Sequence, residues 1–130
     1  MDYVKIANNS FPVIMAITSS EQERGLMFQP WPPPAMAFFY AEPRINQFWM
    51  KDTISALDII FCLKNKIVAI RSGEPNSLRV IGSDVISDLV VEFPAGICAN
   101  YSLVEGMHIS LELDDSSKMK IFAANTLHGW

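Results

Sequence analysis

Residues 57–71 read LDIIFCLKNKIVAIR. Two apolar runs meet at Lys64-Asn65, a two-residue break that suits a tight hairpin turn. Short extended segments, sharply reversed, are what this pattern permits. The rest of the chain repeats the theme. Val13, Met15 and Ile17 alternate with smaller or polar neighbours, which reads as a strand. Residues 35–40, 45–50 and 88–93 read as further strands. Met107, Ile109, Leu111 and Leu113 alternate with His108, Ser110 and Glu112, the pattern of a strand with one wet face. Residues 118–123 read as a last strand. Two helices interrupt the strands. Ser20 and Glu23 fit a capping box ahead of a stop at Gly25, and Pro94 opens a helical spacing of Ile97, Tyr101 and Val104 that ends at Gly106. About eight strands with two short helices predict a mainly β fold, a small closed or partly open β-barrel or sandwich.

The 130 residues suit a single β-rich domain spanning 1–130. Half the chain is apolar and 18% is charged, so disorder is not expected. A chain of this size buries roughly two-thirds of its unfolded surface without needing staples. Ten cations against fourteen anions leave a net charge of -4, with no basic block to displace counterions, so nucleic acid is not an expected partner. No apolar run approaches the roughly 20 residues of a membrane span. The N-terminus, MDYVKIANNS, has no charged leader ahead of a long apolar stretch, so a cytoplasmic protein without a signal peptide is expected. Cys62 and Cys98 share no CxxC spacing, and Cys62 reads as a buried free thiol. Four prolines within residues 30–34 read as an extended connector, with a docking motif as the alternative.

Neither common phosphate-cradling glycine loop occurs. His108 and His128 have no companion at metal-ligand spacing, and no nucleophile elbow is present. No cofactor and no metal are expected. Chemistry concentrates instead at FWMKDT, residues 48–53, where three large apolar side chains run into a cation, an anion and a hydroxyl. On a strand, Ile45, Gln47 and Trp49 share one face, and Asn46, Phe48 and Met50 the other. Trp49 is either partly buried core or a stacking surface for a planar or sugar-like ligand. Asp52 and Thr53 suit backbone bonding in a turn. Asp58 interrupts the apolar run ALDIIFCL, on the side of Ile60 and Cys62, and needs a partner there. Arg24, Arg44 and Lys51 are the cations to test. A structural ion pair or strand-end cap competes with a functional carboxylate at Asp58. Glu92, inside VVEFP, raises the same question more weakly.

The ordered segments ERGLMF (23–28), AFF (37–39), FWMKDT, LDIIF (57–61), VVEFPAG (90–96) and LVEGM (103–107) resemble an uncharacterised bacterial, archaeal and phage family, domain of unknown function 192. The resemblance covers about residues 12–113 and leaves 114–130 as a C-terminal extension. It implies a compact β-rich domain with short helices and no assigned activity; many members look exported. Arg24, Gly25, Trp49, Met50, Lys51, Thr53, Asp58, Glu92 and Gly96 follow the family pattern. The chain departs from it at Asp52, where Asn is usual, at Ala56, where Pro is usual, and at Met107, where Asp often follows the glycine. That Asp typically caps a turn in cradle-loop barrels, so Met107 weakens an analogy to those folds.

No reaction is legible in the sequence, and whether the chain is an enzyme stays open. The first expectation is a non-catalytic domain binding a small polar or anionic ligand in a cleft near FWMKDT, with Arg24, Trp49, Lys51, Asp52, Thr53 and Asp58 as candidate binding residues. The alternatives are a small enzyme using Asp58 as general acid or base, with Lys51 or Arg24 stabilising an anion, and a structural or protein-interaction module docking through the proline loop near Trp31. Oligomeric state is left open.

Overall fold

A computed structural model describes residues 1–128, with side chains through Asn125; residues 129–130 of the C-terminal extension lie outside the described residues. The protein is mainly β, a seven-stranded mixed sheet curved into a half-barrel with three helices. The strands are β1 (Asp2–Ile6), β2 (Asn9–Ala16), β3 (Met36–Ile45), β4 (Leu57–Leu63), β5 (Lys66–Gly73), β6 (Ile86–Pro94) and β7 (Ile109–Glu112), ordered β5-β4-β6-β3-β2-β1-β7. The helices are α1 (Ser19–Arg24), α2 (Ile97–Tyr101) and α3 (Asp115–His128).

The β4–β5 hairpin turns at Lys64 and Asn65, both at positive φ, as a two-residue turn between right-twisted strands requires. All strand pairs are antiparallel except β2–β3. A parallel pair needs a crossover, and here it runs through α1 and the proline-rich loop. That crossover puts α1 beside the sheet, where it walls the site described below.

Strand alternation gives two apolar faces. Val13, Met15, Ile60, Cys62, Val91 and Phe93 pack on one, with Val4, Ile6 and Phe11. Phe38, Leu57, Ile59, Phe61 and Val90 pack on the other, with Leu26 and Met50. Each of β4 and β6 feeds both faces, which is why LDIIFCL is apolar almost without interruption.

Several expectations shift. The alternation of residues 45–50 is real, but beyond Ile45, where β3 ends, the segment forms no ladder strand. It is a strap across the second face, its backbone joined to the β5–β6 connection by a bridge between Phe48 and Ile81 and by the Met50 N–H donating to the Ser77 carbonyl at 2.9 Å. Phe48 sits against Phe38 and Phe61, with ring centroids 5.0 and 5.9 Å away, and Met50 is fully buried. Side-chain burial adds to these few backbone bonds in holding the strap. Residues 118–123, expected as a strand, are helical. The polar run before them is the reason: the Asp114 carboxylate accepts the Ser117 N–H (2.9 Å) and its carbonyl accepts the Lys118 N–H (3.0 Å), so Asp114 starts a helix. Asp2–Ile6, unassigned from sequence, pairs with both β2 and β7. The capping box of α1 uses Thr18 and Glu21, two residues before the expected pair. The second expected helix shortens to Ile97–Tyr101.

Candidate functional site

A cleft of about 370 Å³ opens between α1, the strap and the second face of the sheet. Three local structures shape it. The α1 wall is pinned by Gln22, whose amide donates to the Ala16 and Phe39 carbonyls at 3.1 and 2.7 Å. The strap wall is anchored by buried Asn46, which donates to the carbonyl and hydroxyl of Ser87 at 3.0 and 2.9 Å. On β3 the register slips between Phe39 and Arg44, and Tyr40 and Arg44 both line the cleft.

Glu92 lines the cleft as well, between Met36 of β3 and Ile59 of β4, its partners on the neighbouring strands. It is 4% exposed, and no hydrogen bond or ion pair to its carboxyl occurs among the described residues. Its carboxyl is not sealed, since no fully buried side-chain oxygen among the described residues lacks a partner. The residue is part of the cleft lining. Burial raises its pKa to about 8, because a charged carboxylate loses its hydration there. It is therefore mainly protonated at neutral pH. Tyr40, buried on β3, also makes no hydrogen bond among the described residues. Burial pushes its hydroxyl pKa up, opposed by Arg44 and reinforced by Glu92. The Arg44 guanidinium lies over the Tyr40 ring at 4.6 Å, and its Nε–H donates to Asn46 Oδ1 at 2.8 Å. Arg24 stands exposed at the rim with no carboxylate partner among the described residues. The cleft thus combines an inner proton donor, a phenol, outer cations and, in half-exposed Trp49, an aromatic wall.

Of the six candidate binding residues named from sequence, Arg24, Trp49 and Thr53 line this cleft, as do Arg44 and Glu92, which the sequence raised as a cation and a lone acid. Thr53 is buried, its hydroxyl donating to the Lys51 carbonyl at 3.2 Å. Lys51 and Asp52 lie outside the lining. The Lys51 ammonium sits 5.3 Å from the centre of the Trp49 ring, and Asp52 takes φ 55° in the turn, its carbonyl accepting the Phe28 N–H at 2.8 Å. Asp58 points to the opposite face, where its carboxylate accepts the Gly96 and Cys98 N–H groups at 3.1 and 3.0 Å. It organises the entry to α2. Burial, then the Asp58 charge, pushes the Cys98 thiol up to about 12.

Glu92 carried the same sequence signal as Asp58, a lone acid in an apolar strand. The alternation of β6 puts it with Val90, and only the strand order shows that this face meets the cleft. Tyr40 and Gln22 sent no signal, because a tyrosine in a strand and a glutamine in a short helix are ordinary. Among the described residues, no group of three or more His, Cys, Asp or Glu side chains is placed to hold a metal ion.

The chain is similar in structure to a protein of unknown function from Novosphingobium aromaticivorans DSM 12444, at TM-score 0.76 and 26% identity, over 83% of each chain. It is similar also to a putative transcription regulator from Sinorhizobium meliloti 1021, at TM-score 0.78 and 27% identity, over 84% of this chain and 92% of that one. No curated protein matches it. The family model of DUF192, described as an uncharacterized ACR, matches residues 3–111, and the chain belongs to that family.

Proposed function

We propose that this protein is a small-molecule-binding domain whose ligand occupies the cleft between α1 and the strap. The observation that carries the reading is Glu92: a buried carboxyl, with no protein partner among the described residues, facing an open hollow beside Tyr40 and Trp49. Buried polar groups ordinarily find partners, and one left facing a cleft is a place for a ligand to supply them. DNA is a poor candidate, since the acidic balance of the chain opposes a phosphate backbone. The test is a screen of sugars, nucleotides, carboxylates, amines, amino acids and peptides, followed by melting temperature and Trp fluorescence. A binder should raise the melting temperature and change a fluorescence signal that Trp49→Phe removes. Silence across the whole screen overturns the reading.

A second reading is favoured by the raised pKa of Glu92, which suits a general acid at neutral pH. Asp58 supports catalysis less, because its carboxylate is engaged by two backbone amides. Turnover of any binder, lost in Glu92→Gln with binding retained, would establish it.

A further inference from the structure

The cleft carries charge of both signs, in a fixed order from inside to outside. At its inner end, Glu92 has no cation partner among the described residues, its immediate neighbours on the sheet being Met36 and Ile59. At its rim, Arg24 and Arg44 make no ion pair among the described residues. Arg44 is held in place by Asn46 and the Tyr40 ring, so its remaining N–H groups are pre-aimed at little entropic cost. We propose that the ligand class is a small zwitterion, an amino acid or a compound of the same charge pattern, bound with its ammonium inward on Glu92 and its carboxylate outward on Arg24 and Arg44. The inference rests on the ligand-binding reading above.

The argument is one of complementarity. A buried acid with no partner is best satisfied by a cation that brings its own N–H donors, because pairing removes the cost of ionising it. Guanidinium groups bind carboxylates through paired N–H donors, and two of them at one rim suit a two-oxygen anion. A neutral polyol would leave the arginines idle, and a dicarboxylate would leave Glu92 without a cation. The volume of about 370 Å³ lies at the lower end of ligand sites, which suits a compact molecule.

Ion pairing at Glu92 has a proton signature. The charged and titratable groups lining the same cleft are Tyr40 and Arg44 from β3 and Glu23 and Arg24 from α1; on β4 the nearest acid, Asp58, faces the other way. Glu92 is mainly protonated in the empty cleft at pH 7, so an incoming ammonium displaces that proton to solvent. The ammonium stays charged, Glu92 becomes a carboxylate, and the released proton is taken up by buffer.

The experiment is isothermal titration calorimetry of the full chain at pH 7, in phosphate and in Tris. The ligands are a graded series from glycine to 6-aminohexanoate, basic amino acids, the matching alkylamines and alkylcarboxylates, and glucose, a nucleotide and a dicarboxylate as controls. The expected result is binding of one or more amino acids, about tenfold or more tighter than the amine or the carboxylate alone. Binding heat should differ between buffers by an amount matching release of nearly one proton. Glu92→Gln should abolish that difference and weaken binding, while Arg24→Gln with Arg44→Gln should erase the preference for amino acid over amine. Proton release from the parent protein needs no variant, so a poorly folding substitution leaves the test intact. Amines binding as tightly as amino acids, or amino acids binding without proton release, overturn the zwitterion. Binding of a control compound, with a Trp49 response but no amino-acid binding, overturns the ligand class and keeps the cleft. No binding by any compound overturns both.

Discussion

Glu92 and Asp58 are each a single acid in an apolar strand, yet they have opposite thermodynamic roles. For Glu92 the folded pKa, about 8, stands above the ordinary carboxylate value. The folded state therefore holds a proton that the unfolded state has lost, and stability falls as pH rises between the two values. Below pH 4 the group contributes nothing; above pH 8 its cost reaches at most about 5 kcal/mol. Glu92→Gln should flatten this slope, leaving the variant more stable than the parent at pH 8 and little changed at pH 4, as read by urea denaturation at each pH. A parent protein equally stable at pH 5 and pH 8 would contradict the burial argument. Asp58 holds two amide donors at the entry to α2. Asp58→Ala should cost about 1–3 kcal/mol of stability by orphaning them, with ligand affinity unchanged, because it lies on the other face. A loss of affinity without loss of stability would return Asp58 to the site.

At the scale of elements, the cleft depends on two pieces that the ladder does not hold. The first is α1, six residues long and far too short to be stable alone. Its capping box and Gln22 fix it, Thr18 Oγ1 accepting the Glu21 N–H at 3.2 Å while Glu21 Oε1 accepts the Thr18 N–H at 3.0 Å. Thr18→Ala should cost about 1 kcal/mol and speed hydrogen exchange within α1 first. The second is the strap. It lies close over β4, and Gly82, across from it at φ +90°, has no room for a side chain: a Cβ there would come 2.6 Å from the Phe61 ring and 2.8 Å from the Asn46 carbonyl. Gly82→Ala should therefore cost about 3 kcal/mol or more, measured by denaturant midpoint, through both backbone strain and overpacking. A neutral result would mean that the strap moves aside freely, and with it the Trp49 wall.

At the scale of the molecule, the family match ends at residue 111 and α3 follows it. Several contacts tie the helix to the body. Ser117 Oγ donates to Asp2 at 2.6 Å, the Asp114 N–H donates to the other Asp2 oxygen at 2.9 Å, and Lys120 pairs with Glu21 at 3.5 Å. Ile121 and Ala124 pack on the first apolar face. A chain ending at Leu113 should fold and keep its cleft, losing about 1–3 kcal/mol in urea denaturation. Failure of that shortened chain to fold would make α3 part of the domain core rather than an addition to it. Among the described residues no helix is long and apolar enough to cross a membrane, so neither this helix nor the others would act as a span.

Short apolar runs with two-residue breaks determined by themselves that the chain would be mainly β, because such runs bury their side chains best as paired strands. The β4–β5 hairpin was legible in its turn and in β4, with β5 running two residues past the expected Arg71, since the turn and both runs are close neighbours in sequence. Local signals failed where packing decided. Residues 45–50 alternate like a strand but lie on the sheet rather than in it, and 118–123 looked extended until Asp114 supplied a cap. The site divides the same way. FWMKDT marked Trp49 and Thr53, and Arg24 was among the cations set against Asp58, because those residues stand beside recognisable breaks in the chain. Which lone acid faces the cleft was decided only by strand order, which sets β6 between β3 and β4 and turns Glu92 toward α1 and Asp58 away. Alternation along one strand says that two faces exist; only the neighbours brought from distant sequence say what each face meets.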